Sequence, residues 1–288
     1  MIDYFPFIIL FVTSMIIGKH FNIKMPSIIL YALVILLIFT VSLWGGASIN
    51  AEQFTYLLFI SVLVSAGLDV LTYLSGFFFS IKGKSKWKKM DFKSQLKYVI
   101  PFIVGLGIGM AFGDFSSDIL LTAITYELIA LVVIAGLLIG KEIKTETIKK
   151  AFNLTLFSVI ADIVGAVLLS AVLSSFFPFK ETLIVMLGSG WVTYTAPFVA
   201  STYGNVAGIF AFLVNFFRVE LAFVLLPLLS RKRIFPAGAI AVGGTASMDV
   251  VLPLYIELLG DDYAVGAISS GVVLSVLVPI ILPLIALL

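Results

Sequence analysis

The sequence predicts an all-α polytopic membrane protein, with eight transmembrane helices, two further re-entrant or broken segments, and inverted repeats. Three observations carry that prediction. Of the 288 residues, 61% are hydrophobic and 12% charged, with a mean hydropathy of +1.19; soluble domains average about 25% charged residues. Apolar runs longer than about 18 residues recur from end to end, the length a helix needs to cross a bilayer. The basic residues, finally, are clustered between those runs rather than spread over a surface.

The candidate helices run over roughly 3–18, 25–45, 54–80, 96–113, 119–140 and 150–177. A broken apolar segment follows at 182–201, then a helix at 205–229. A second broken segment covers 236–258, and the last helix is 263–287. The first run is read as a retained helix, because it opens with Asp3 and has neither a basic leader nor a small-residue cleavage site.

Orientation follows from lysine and arginine. Seven lysines lie in 81–97, four in 141–150, three basic residues at Arg231-Lys232-Arg233, and two more are Lys19 and Lys24; Lys180 and Arg218 stand elsewhere. The positive-inside rule assigns all four clusters to the cytoplasm. The N-terminus is then external, and six crossings carry the chain outside at Lys180. Because it must be inside again at Arg231, only one full crossing lies between, and 205–229 is the better candidate. Segment 182–201 therefore enters and leaves from the same side, turning at Gly188, Gly190 and Pro197. By analogy 236–258 turns at Gly243-Gly244, which leaves the C-terminus external; if 236–258 instead crosses fully, Asp261-Asp262 face outward and the C-terminus is inside. Irregular backbone at membrane depth requires protein or a wet cavity around its open amides.

Two internal similarities point to repeats. YALVILLIFTVSLWGG (31–46) resembles YELIALVVIAGLLIGK (126–141), and the helices that follow both contain S-V-(L/I). More loosely, MIIGKHF (15–21) echoes GIGMAFG (107–113). Three helices per copy place the copies in opposite orientation. A weaker similarity relates 188–229 to 243–287. The expected organisation is a single membrane transport domain over 1–288, with inverted repeats 1–95 and 96–178 and broken-helix units 182–229 and 236–288. Inverted repeats and interrupted helices are a common basis of alternating access in secondary transporters.

Some chemistry is excluded. The chain has no cysteine and one histidine, His20, so thiolate and multi-histidine metal sites are ruled out, as are cysteine nucleophiles. No G-x-S-x-G element with a catalytic partner is present, and no enzyme activity, cofactor or nucleic-acid partner is expected.

The polar residues within the apolar segments are the candidate site. Six acids lie there, Asp69, Glu127, Asp162, Glu220, Asp249 and Glu257, together with Asn215 and Arg218. A charge at membrane depth costs about 2.5–3.5 kcal/mol on insertion scales, so such groups face the protein interior or a wet path. Asn215 and Arg218 share a helix face, whereas Glu220 is turned about 200° from Arg218. The arginine is expected to find its carboxylate on another segment, Asp249 or Asp162, as a structural ion pair, or on a substrate. Glu257 lies near a segment end and reaches the interface. LGSGWVTYTAP presents Ser189, Thr193 and Thr195 around one break; GGTASMDVVLP presents Thr245, Ser247 and Asp249 beyond the other. Broken helices expose amide ends that attract carboxylates and carbonyl ends that attract cations, a pairing that suits a zwitterionic amino acid. The bland alternative is a close-packed interface of small residues.

GSGWVTYTAP (188–197), NFFRVELA (215–222) and above all GTASMDVVLP (244–253) resemble the LysO/YbjE lysine exporter family. The resemblance covers most of the chain and is strongest over 185–288. It implies an inner-membrane exporter of L-lysine and its toxic analogues, with eight crossings and both termini external. It places the family's serine and aspartate on Ser247 and Asp249, and its G-x-G-W on Gly188, Gly190 and Trp191. One departure is the penultimate crossing, where the family pattern N-D-x-x-R-E meets Asn215, Phe216, Arg218 and Glu220 here.

The resulting expectation is export of lysine or a related cationic amino acid by antiport with H+ or Na+. Ser189, Thr193, Asn215, Arg218, Thr245, Ser247 and Asp249 are the substrate-binding candidates. Asp69, Glu127, Asp162 and Glu220 are the ion-coupling candidates. A same-fold carrier of another solute (arginine, a dipeptide or an organic anion) is the alternative, and an unpaired Arg218 would favour an anion. Besides the amino acid, the expected partner is membrane lipid, and a homodimer is compatible with the sequence.

Overall fold

The computed structural model describes residues 5–21, 27–47, 49–79, 96–113, 116–142, 151–230 and 234–288. Most of the basic clusters behind the orientation argument (80–95, 143–150, 231–233 and Lys24) lie outside the described residues.

Helix α3 (Ala51–Ser75) sets the frame. A capping box fixes its start: Gln53 N donates to Asn50 Oδ1 at 2.8 Å, and Asn50 N donates to Gln53 Oε1 at 3.1 Å. These bonds satisfy amides that an open helix start leaves bare. The sequence predicts one helix to residue 80; the α-helix instead stops at Ser75 and tightens into a 3-10 turn, Gly76–Phe78. There Gly76 lies against the backbone of Gly238.

Three long helices run beside α3. Helix α6 (Phe152–Leu173) is antiparallel to it, with Leu169 beside Gly67, Gly165 beside Thr72, and Phe157 stacked on Phe79. Helix α9 (Asn205–Leu229) is parallel to α3: Ser65 Oγ donates to Val214 O at 2.8 Å, and Phe235, just beyond α9, packs on Tyr73 and Phe77. Helix α12 (Ala264–Leu287) follows α6, with Gly266 against Leu154. The head of the bundle is thus where α3 and α9 begin and α6 and α12 end. Its foot is the opposite end.

The two broken segments enter this frame from opposite ends. Helix α7 (Phe179–Met186) leaves the head, where Lys180 Nζ donates to Ala286 O at 2.8 Å. It stops midway along α9, where Asn215 Nδ2 donates to Val185 O at 3.0 Å. Helix α8 (Val192–Tyr203) starts at that level and returns to the head, joining α9 through Gly204. Helix α10 (Pro236–Gly243) rises from the foot, with proline at a position that needs no amide donor. A 3-10 turn, Gly244–Met248, follows, and α11 (Leu252–Leu259) goes back down to α12. The breaks fall at the glycines that the sequence marks. The tips of the two segments touch at mid-height.

Four more helices flank this core: α1 (Phe5–His20), α2 (Ser27–Gly46), α4 (Leu96–Phe112) and α5 (Ser117–Glu142). Helix α1 packs on α5, and α2 on α4 and α5. The main apolar core lies where α2, α5, α8 and α9 meet, and a smaller one sits at the foot around α10 and α11. Among the described residues, five helices are long and apolar enough to cross a membrane: Ala51–Phe78, Asp118–Leu138, Phe152–Leu173, Asn205–Leu229 and Ala264–Leu287. Three shorter apolar helices cover Ile8–His20, Ala32–Gly46 and Ile100–Phe112. The chain is an all-α, multi-pass membrane protein.

Candidate substrate and ion site

The site grows around Arg218, a fully buried side chain halfway along α9. Its Nε donates to Val242 O at 3.1 Å, Nη1 to Met186 O at 3.3 Å, and Nη2 to Ala241 O at 3.0 Å. Nη2 also forms an ion pair with Asp162 Oδ1 on α6. Met186 ends α7, and Ala241 and Val242 belong to the last turn of α10. The last carbonyls of a helix have no intrahelical donor and carry partial negative charge. One guanidinium therefore caps two half-helix C-terminal ends at once. The cation position that the breaks create is held by the chain's own arginine.

Asp162 is equally buried, and its second oxygen accepts from Ser189 Oγ at 2.6 Å. Ser189 holds a left-handed backbone (φ 50°) in the first break, a conformation that non-glycine residues seldom adopt. Asn215 fixes the same break from α9: its Oδ1 accepts from Gly190 N at 2.9 Å, and its Nδ2 donates to Val185 O and Ala211 O, each at 3.0 Å. Thr245 joins the two tips, its N and Oγ1 donating to Ser189 O at 2.8 and 3.3 Å. Beside it Gly244 has φ 55°, and a Cβ built there would fall 2.1 Å from Ser189 O. Only glycine allows that approach. A void with room for about one water lies between Asp162, Ser189 and the apolar residues Leu274, Val278 and Ile281.

Five candidates thus converge: Asp162, Ser189, Asn215, Arg218 and Thr245. Asp69 on α3 belongs to the same neighbourhood: it lies one turn beyond Ser65, whose Oγ donates to Val214 O one turn before Arg218 on the parallel α9. It is completely buried, and neither carboxylate oxygen has a hydrogen-bond partner. Ser247 is buried but turned to α12, where its Oγ donates to Ala267 O at 2.9 Å. Thr193 is half-buried in the first turn of α8. Glu220 is half-buried, with Oε1 buried and unbonded, and Arg218 does not pair with it. Glu127 lies apart, on α5, accepting from Thr40 Oγ1 of α2 at 3.1 Å.

Asp249 corrects one expectation. An acid within an apolar segment is expected to turn to the protein interior or a wet path; this one is exposed, with Oδ1 accepting from Val250 N at 2.5 Å. The 3-10 turn carries Ser247 inward and leaves the next acid outside the packed tip. Sequence reasoning also missed Tyr255. Its fully buried hydroxyl accepts from Gly243 N at 3.0 Å and donates to Ile240 O at 3.1 Å, pinning the end of α10. The available signal was a tyrosine in an apolar helix just past a diglycine, since a buried tyrosine hydroxyl needs partners. Among the described residues, no group of three or more His, Asp or Glu is arranged to hold a metal ion.

Comparison with known proteins bears on about two thirds of the chain, the part that holds most of this cluster. The model of the family described as "Lysine exporter LysO" matches residues 99–286. The protein named lysine exporter LysO in Escherichia coli (strain K12) is 29% identical over 189 residues, covering 64% of this chain and 60% of that protein. A Haemophilus influenzae protein (strain ATCC 51907), provisionally named a lysine exporter, is 29% identical over 118 residues, covering 40% of this chain and 60% of its own length. The chain thus aligns with about 60% of each of these relatives. No solved structure matches.

Proposed function

Because the chain belongs to the lysine exporter LysO family, we propose that it is a carrier rather than an enzyme, and that it moves L-lysine or a related cationic amino acid out across the cytoplasmic membrane. The observation that carries this is the meeting of two unwound segments at mid-height in an apolar bundle. Backbone of that kind, at a depth where amides find no water, is tolerated where it is packed in protein or lines a polar path. Half-helix ends supply both signs of partial charge, as an amino acid's carboxylate and ammonium require. Ser189, Thr193, Asn215, Arg218, Thr245, Ser247 and Asp249 are the residues proposed for the substrate.

Eight crossings are proposed, the five long helices and the three shorter apolar ones, with the head of the bundle outside. Helix pairing supports an inverted repeat: exchanging α1–α2–α3 with α4–α5–α6 turns the α1–α5 contact into α4–α2 and leaves α3–α6 unchanged. Glycines line both seams, Gly136 and Gly140 against α1, and Gly105 and Gly109 against α2. The two broken segments share an arrangement too, each ending in a glycine before a long helix, Gly204 and Gly260.

Expelling one positive charge against 100 mV, negative inside, costs about 2.3 kcal/mol. A simple uniporter would run the wrong way, so coupling to an inward ion gradient is proposed, with H+ or Na+ as the ion. Pairing of Arg218 with Asp162 removes the argument for an anionic substrate, which rested on an uncompensated guanidinium. Uptake of labelled lysine into inverted vesicles, competed by arginine, dipeptides and organic anions, tests the proposal. Uptake no faster than in vesicles lacking the protein would overturn it.

A further inference from the structure

Two fully buried carboxylates and one buried guanidinium share the centre of the bundle. Arg218 is committed: its donors go to Asp162 and to the carbonyls of residues 186, 241 and 242. Asp162 is committed as well, one oxygen to Arg218 and the other to Ser189. Asp69 remains, 0% exposed and with both oxygens unbonded. An ionised carboxylate in that position would be a second buried negative charge opposite a cation already neutralised, and isolated buried charges are the costliest groups a protein interior can hold.

Among the described residues, the elements packed most closely on α3 offer no other counter-charge. Helix α9 contributes Arg218, α6 contributes Asp162, and α10 has no titratable residue. From α11, the buried phenol of Tyr255 is bonded to Gly243 N and Ile240 O at the end of α10. On α3 itself the neighbouring unbonded oxygen is Thr72 Oγ1. A metal cation needs several oxygen ligands, whereas a proton needs one.

We propose that Asp69 is the proton-carrying group of this protein: a neutral acid while Arg218 holds Asp162, which releases its proton to water on the cytoplasmic side when Arg218 turns to it and the substrate's ammonium takes the place of the guanidinium on Asp162. This deepens the antiport proposed above and rests on it for its transport consequence. It separates the two ligands in space, the proton on α3 and the amino acid at the touching tips. The guanidinium is the shared element through which one site senses the other. Asp69 lies outside the region matched by the family model.

The test has a part that needs no lysine. Infrared spectra of the purified, substrate-free protein at neutral pH, wild type minus Asp69→Asn, are expected to show the carbonyl band of a neutral carboxylic acid. Bands of an ionised carboxylate alone would overturn the assignment; a neutral-acid band found only in sodium-free buffer would assign the group to sodium and overturn it too. An amide is the nearest mimic of a neutral acid, so the variant should accumulate and fold as wild type does. Its failure to fold would mean that Asp69 is an ionised structural partner, against the proposal. In vesicles where the wild type moves lysine, the variant is expected to keep lysine–lysine exchange and lose accumulation driven by a pH gradient. Gradient-driven accumulation at the wild-type level would overturn it. If the wild type moves no lysine, export is refuted, while the infrared difference still decides the state of Asp69.

Discussion

Arg218 on α9 pairs with Asp162 on α6, 56 residues earlier in the chain, and not with Glu220 two residues away. The pair ties α9 to α6, while the same guanidinium ties both to the ends of α7 and α10. Removing the arginine would leave a buried carboxylate and three carbonyls without their donor. Arg218→Gln is expected to cost about 3–5 kcal/mol, the usual penalty for stranding half of a buried pair. The double variant Arg218→Gln with Asp162→Asn should recover part of that loss. Thermal unfolding of the detergent-purified variants measures both; a single variant as stable as wild type would contradict the geometry.

Gly244 and Ser189 make a second, purely steric prediction. A methyl group at 244 would overlap Ser189 O and also oppose a positive φ. Gly244→Ala should therefore force the tips apart or break the local backbone, at about 1–3 kcal/mol for the conformation alone. Gly107→Ala is the control, because nothing lies within 4 Å of the position its Cβ would take. Equal unfolding temperatures for the two variants would show that the tips are not in contact.

Asn215 makes the third. Asn215→Ala strands Gly190 N and two carbonyls, and each unsatisfied buried group costs about 1–3 kcal/mol. Asn215→Asp keeps the acceptor for Gly190 N but loses both donors and adds a buried charge, so it should be the worse of the two. Reversed ranking in thermal stability would argue against the hydrogen bonds described.

Much of this arrangement was legible in the sequence because membrane depth makes polar residues expensive. That cost singled out Asp69, Asp162, Asn215 and Arg218, and helical spacing was enough to reject Glu220 as the arginine's partner. Choosing Asp162 over Asp249 was beyond it, since that depends on which break faces which helix. The glycines gave the breaks, but not the two helix ends under Arg218, because those contacts use backbone carbonyls that any residue supplies. Asp249 misled for a related reason. Its place beyond the diglycine is right, yet its exposure depends on whether the turn is 3-10 or extended.

Topology is open to a direct measurement. The basic clusters predict that the 81–97 loop is cytoplasmic and that the end of α7 bearing Lys180 is external. The chain has no cysteine, so single cysteines report without background. A cysteine at Ser85 should resist an impermeant thiol reagent in intact cells and react once they are permeabilised. One at Thr202, at the head end of α8, should react from outside. Labelling of Ser85→Cys in intact cells would invert the proposed orientation.

Asp249 combines an exposed side chain with a position at the meeting point of the two broken segments, and this makes its role separable from folding. Its carboxylate is not buried in the core, so Asp249→Asn, which keeps the size and the acceptor for Val250 N, should change stability by no more than about 0.5 kcal/mol, the range of ordinary surface substitutions. The charge is another matter. A carboxylate exposed at the level of the tips attracts an ammonium group approaching the cluster, whereas the Asp162 carboxylate is buried under Arg218 and Ser189. If lysine is the substrate, the amide loses the attraction for its ammonium and the variant should reach the membrane in normal amount but fail to move lysine. Asp249→Glu retains the charge one methylene further out and should keep partial activity. Quantifying membrane-inserted protein beside labelled-lysine uptake into inverted vesicles distinguishes the outcomes. Wild-type uptake by Asp249→Asn would remove this residue from the substrate path and leave recognition to Ser189, Thr193 and Thr245.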